Sequence, residues 1–125
     1  MVEEIRIPLQ RICSRLDGAV GATVMGLDGL TVDSVAPQKP ARTGMDIESL
    51  LVEYSSLLGQ VQRSAQMFAA GRLEELAISS EHLTTLIRPL TGEYFVALTL
   101  GPNASVGKGR YLLRIHAREL SGALA

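Results

Sequence analysis

The residues able to do chemistry fall into a few groups. The segment Gly101-Pro-Asn-Ala-Ser-Val-Gly107-Lys108-Gly109 places a Gly-Lys pair in a glycine-spaced loop, the residue types that cradle a phosphate. Its spacing departs from that use. Five residues rather than four separate Gly101 from Gly107, and Gly109 stands where a Ser or Thr hydroxyl would hold magnesium. A loop leading into a helix, capped by Ser105 or Asn103, accounts for the same residues. Arg110, Arg114 and Arg118 recur at i, i+4 and i+8. Such a basic stripe grips phosphates or carboxylates, or else is a solvated face that complements a helix C-terminal dipole. No aromatic residues interleave with it to stack bases, although Tyr111 is near, so nucleic-acid binding is a weak second reading.

The remaining titratable groups form no catalytic spacing. His82 and His116 lie far apart in sequence; a surface turn accounts for the first and a helix face for the second. Asp28 and Asp33 share a hairpin, but turn chemistry accounts for Asp28. Cys13 is the only cysteine, which rules out an internal disulfide, a zinc finger and a CxxC motif. Its place on an apolar helical face makes it a core residue. No catalytic, cofactor or metal residue is expected, and the chain reads as a binding module rather than an enzyme.

Composition agrees with a single domain over residues 1–125, with 46 % hydrophobic and 20 % charged residues and no Trp. The slight tilt toward burial points to an oligomer. Twelve basic and 13 acidic residues leave a net charge of -1, so no global field draws the chain to nucleic acid or to an anionic membrane. No run approaches the roughly 18 apolar residues of a membrane span, and a cytoplasmic location is expected.

The elements that must position these groups follow from periodicity. Leu9, Ile12, Cys13 and Leu16 give a first helix from Pro8, stopped near Gly18. Strands follow at 19–26 and 30–35 around Asp28-Gly29, a dipeptide suited to a tight hairpin with positive φ at both central residues. Pro37 and Pro40 break the pattern. Ile47, Leu50, Leu51, Tyr54, Leu57, Leu58, Val61, Ala65 and Phe68 then form one apolar stripe on a long helix, with Asp46 as N-cap and Gly71 as stop. Strands at 74–80, 83–90 and 93–100 and a last helix complete an α+β order of helix, two strands, helix, three strands, helix. On the long helix Ser55, Gly59, Gln62 and Gln66 trace a second stripe. Gly59 costs roughly 1 kcal/mol against Ala there, which is a physical reason to expect close approach of a partner.

In this order the chain resembles the roadblock/dynein light chain family, in particular its small bacterial members from gliding-motility systems. The likeness rests on GATVMGLDGLTVDS at 21–34, the long second helix, LIRPLTGEYFVALTL at 86–100 and NASVGKGRYLLRIHAREL at 103–120. It implies the roadblock fold, a five-stranded antiparallel sheet with the long helix on one face and the first and third helices on the other. It further implies pairing, with itself or another roadblock protein, through the long helix and an edge strand at 73–80. The partner interface would then use Ser55, Gly59, Gln62, Gln66, Leu76 and Ile78, with a secondary contact at Leu27, Asp28 and Leu30. Roadblock proteins act without enzymatic activity on Ras-like small GTPases or their regulators, or as adaptors. Two alternatives stand beside this: a scaffold without GTPase contact, or a phosphate- or nucleic-acid-binding module using Lys108 and the third helix.

Overall fold

Two sequence periods, near four along the helices and two along the strands, sort the apolar residues into the two sides of one sheet. The computed structural model describes residues 2–37 and 44–125. It contains α1 (Val2–Ser14), β1 (Ala19–Gly26), β2 (Thr31–Val35), α2 (Ile47–Met67), β3 (Leu76–Ser79), β4 (Thr84–Pro89), β5 (Tyr94–Leu100) and α3 (Val106–Leu124). The strands form one five-stranded antiparallel sheet, as expected, in the order β2-β1-β5-β4-β3. Pro37 precedes α2 as expected, and Pro40 lies outside the described residues.

Strand alternation assigns the two cores. Ala22 and Val24 of β1 and Val96, Leu98 and Leu100 of β5 face α1 and α3, where they join Ile5, Leu9, Ile12, Leu112, Leu113 and Leu120. Met25, Phe95, Ala97 and Ile87 point the other way and meet Leu51 and Leu58 of α2. The long helix therefore covers one face and the other two helices cover the opposite one.

Four local expectations are corrected. The first helix begins at Val2 rather than Pro8 and stops at Ser14, short of the expected stop near Gly18. Ile5, fully buried, extends the stripe one turn toward the N-terminus, and its burial offsets the hydrogen bond that Pro8 cannot give to the Glu4 carbonyl. The chain then tightens, with Arg15 and Leu16 donating to the carbonyls of Ile12 and Cys13 at 3.3 and 3.4 Å.

The second correction concerns the Asp28-Gly29 turn. Only Gly29 has positive φ, at 84°, and Asp28 does not. The loop has three residues rather than two. Gly29 N–H donates to Gly26 O and Gly26 N–H to Leu30 O, both at 2.9 Å, while the Asp28 carboxylate accepts from Leu30 N–H at 3.0 Å. This is a type I turn followed by a left-handed glycine, the usual three-residue hairpin.

Third, α2 is closed by Ala69 rather than Gly71. Ala69 N–H donates to Gln66 O at 3.2 Å and Ala70 N–H to Ala65 O at 2.8 Å, a Schellman closure with Ala69 at φ 55° in the position that favours glycine. Its other end is as expected, with the Asp46 carboxylate accepting from Ser49 N–H at 3.2 Å and Ser49 Oγ at 2.7 Å.

Fourth, the apolar stripe of α2 is not one core-facing stripe. Leu51 and Leu58 are buried, but Leu57 is 38 % and Phe68 79 % exposed. The expected set spans too wide an arc for one sheet to cover.

Candidate partner-binding surface

The apolar residues of α2 separate into two seams. Leu51 and Leu58 form the inner one. Leu50, Tyr54, Leu57, Val61, Ser64 and Phe68 follow one another at steps of four and three, the spacing with which helices pack side by side. Along this outer seam Tyr54 and Val61 are half-buried, whereas Leu57 and Phe68 are exposed, and Met67 beside Phe68 is 77 % exposed. Large apolar side chains so close together on one helix make this seam the candidate for association.

The sheet edges differ in the same sense. Among the described residues β3 pairs only with β4, so its outer backbone groups have no strand partner there, and its sequence Leu-Ala-Ile-Ser carries no charge. β2 is the other edge, and it is guarded: Asp33, with its side chain nearly buried, bonds Arg6 of α1 at 2.7 Å. An inward-pointing charge on an edge strand opposes strand addition, and β3 has none.

The α2 residues expected at the interface fall into three groups. Ser55 is buried: its hydroxyl donates to Val52 O at 2.6 Å, and Gly29 of the β1–β2 turn packs against it and Val52. The protomer itself thus occupies the Ser55 end of the small-residue stripe. Gly59 sits in the open, where an added Cβ would meet only the Arg63 guanidinium at 3.4 Å. Gln62 and Gln66 line a cavity shared with the β4–β5 turn. Two positions apart on a helix is about 160° around it, so Gly59 and Leu57 look to opposite flanks.

Leu76 and Ile78 are half-buried against the α2-side core. At the hairpin tip, Leu27 joins that core, Asp28 is exposed but committed to its turn, and Leu30 is 70 % exposed. Residue spacing did not single out Leu57, Met67 and Phe68 as surface. The alternation of fours and threes from Leu50 to Phe68 is the signal that could have found Leu57 and Phe68; Met67 lies outside it.

The groups weighed for other chemistry have local roles. In the 101–109 loop, Gly101 N–H donates to Gly18 O, Ala104 N–H to Gly101 O and Lys108 N–H to the Ser105 hydroxyl, at 2.9, 3.2 and 3.1 Å. Those donors are consumed within the protein, and Ser105 rather than Asn103 is the cap. Cys13 is buried, with Sγ 3.6 Å from Val35 O, and burial pushes its pKa up to about 11. His82 is exposed beside Glu81. His116 faces inward, bonded through Nδ1 to Glu119 at 2.5 Å, and Glu119 in turn lies 4.0 Å from Arg11 of α1. No group of three or more His, Cys, Asp or Glu gathers as a metal site among the described residues. No helix among them is long and apolar enough to cross a membrane.

No protein-family model matches the chain, and no curated protein sequence does. Solved structures do. The gliding protein MglB from Thermus thermophilus superposes with a TM-score of 0.84 at 14 % identity, over 97 % of this chain and 88 % of its own. A roadblock/LC7 domain from Streptomyces avermitilis superposes at 0.78 with 12 % identity, over 94 % and 95 %. At such identities these two attest the fold. MglC from Myxococcus xanthus is 32 % identical over 96 % of this chain and 98 % of its own, with a TM-score of 0.70. Sequence likeness along the whole length, on the sheet order and helix placement described above, means that the chain belongs to the roadblock/LC7 family, as one of its small bacterial members.

Proposed function

We propose that the protein is a non-enzymatic, dimeric adaptor or regulator in a Ras-like small-GTPase system of bacterial cell polarity and motility. It binds either the GTPase or its roadblock-type activating protein. The observation that carries the reading is the uncharged, strand-free edge of β3 together with the exposed seam of α2. A second copy, or another roadblock protein, would extend the sheet across β3 and bury Leu57 and Phe68 in the same step. Similar structures support association of this kind: one is described as MglB with a tetrameric arrangement, and another as a gliding protein.

Size-exclusion chromatography with light scattering tests the pairing; a strict monomer at tens of micromolar would remove it. Pull-downs against GTP- and GDP-loaded Ras-like proteins, and against roadblock proteins from the same source, test the partner. Capture of none of them would leave the fold alone.

A scaffold without GTPase contact is the second reading, and exposed Leu30 at the hairpin tip is the observation that favours it. Leu30→Glu should then abolish capture of the signalling partner while leaving the dimer and the melting temperature in place. Asp28 is the poorer probe, because its carboxylate also holds the turn.

A further inference from the structure

The arginine stripe of α3 does not act as one unit. Arg110 turns to Glu75 on the approach to β3, at 2.6 Å, and is neutralised there. Arg114 and Arg118 line instead a cavity of about 1060 Å³, where the end of α2, residues 71–74, the β4–β5 turn and α3 converge. Arg72 and Arg88 also line it, and among the described residues Glu74 is its only acid. None of these four guanidinium groups has an ion pair or hydrogen bond among the described residues. The whole chain carries a net charge of -1, so this cationic space is a local concentration and not part of a basic surface.

We propose that this cavity docks an acidic peptide segment of a partner protein. Guanidinium forks match carboxylates in pairs, and arginine is the residue suited to that planar recognition. Leu73 and Leu90 supply apolar wall between the charges, as an extended segment with alternating acidic and small side chains requires. A single phosphate would leave most of the space empty. Among the described residues no aromatic side chain lines it to stack a base, which argues against a nucleotide or nucleic acid. The frame is preset: the Ser121 hydroxyl of α3 donates to Leu90 O at 2.9 Å, tying the wall that carries Arg88 to the wall that carries Arg114 and Arg118. The seam residues Leu57, Met67 and Phe68 do not line the cavity, whereas Gln62 and Gln66 do, so peptide binding is read separately from association.

The test is fluorescence anisotropy of a labelled peptide of alternating Glu and Ala, titrated with the full chain at low salt. Saturable binding is expected, with a Lys-Ala peptide giving none. Arg114→Glu with Arg118→Glu should weaken it by about tenfold or more. Arg15→Glu with Lys108→Glu, exposed cations outside the cavity, should leave it within about twofold. Should the first pair disturb folding in a thermal melt, Arg114→Gln with Arg118→Gln carries the same expectation without introducing repulsion. Light scattering on the same samples keeps the result separate from any change in association. Absence of binding, or equal loss in the cavity and control variants, would overturn the proposal. So would a DNA duplex binding the same arginines more tightly than the peptide.

Discussion

Phe68→Gln separates the outer seam of α2 from its core. Phe68 is 79 % exposed, so the folded protomer already leaves most of its ring in water. Full burial of a Phe side chain is worth about 1.5–3 kcal/mol, and burying what remains exposed contributes about 2 kcal/mol in each copy. A two-fold interface uses the same residue twice, so the variant removes about 4 kcal/mol from association. At 1.4 kcal/mol per tenfold, the dimer dissociation constant rises about a thousandfold. Light scattering across a dilution series reads this directly, and a circular-dichroism melt at a concentration where both proteins are monomeric should be nearly unchanged. Tyr111→Gln is the control: Tyr111 is 57 % exposed on α3, across the sheet, and its loss should leave the dimer intact. An unchanged dissociation constant in Phe68→Gln, or an equal effect from Tyr111→Gln, would refute the placement of the interface on this seam.

Ala69→Gly should stabilise the protein by about 1 kcal/mol in chemical denaturation, since Ala69 holds φ 55° where only glycine is unstrained. Cys13, at about 11 against 9.0 for the free thiol, should resist Ellman's reagent in the native protein at pH 8 and react on unfolding. Its folded pKa is the higher one, so stability should fall as pH rises between those values, a decline that Cys13→Ala removes. The Asp46 carboxylate is held below its ordinary value by hydrogen bonds from the Ser49 side chain and backbone. That cap therefore stabilises the fold above the ordinary carboxylate range and loses its contribution as pH falls through the lowered value; Asp46→Asn should flatten that part of an acid titration.

The succession of helices and strands was legible because strand alternation and helical spacing report burial directly, whereas the helix placement and the edge at 73–80 came from the family resemblance. The start of α1 was less so, since a proline reads locally as a boundary and only tertiary burial of Ile5 overrides it. Ala69 could not be foreseen as a left-handed cap, because nothing in alanine's chemistry asks for that conformation. The surface of α2 was misdivided for a related reason. Hydrophobicity marks Leu57 and Leu58 alike, and only the width of the sheet decides which of two neighbouring leucines is covered. Arg110 and Arg114 were likewise equivalent on a helical stripe until Glu75, thirty-five residues before Arg110, took one of them.

The two sides of the sheet are not equally sealed. Among the described residues, sixteen buried side chains join α1 and α3 to their face, and six join α2 to the other. Free energies of local opening follow the apolar contacts that must be broken, so α2 is the layer that loosens first. The helix proposed to meet partners is thus also the less firmly anchored layer. A partner seated there restricts its motion and gives up contact free energy to ordering, and in return it stiffens the face on which any later ligand lands. Coupling between two partners of this protein could then arise from rigidity alone, with no rearrangement of the sheet.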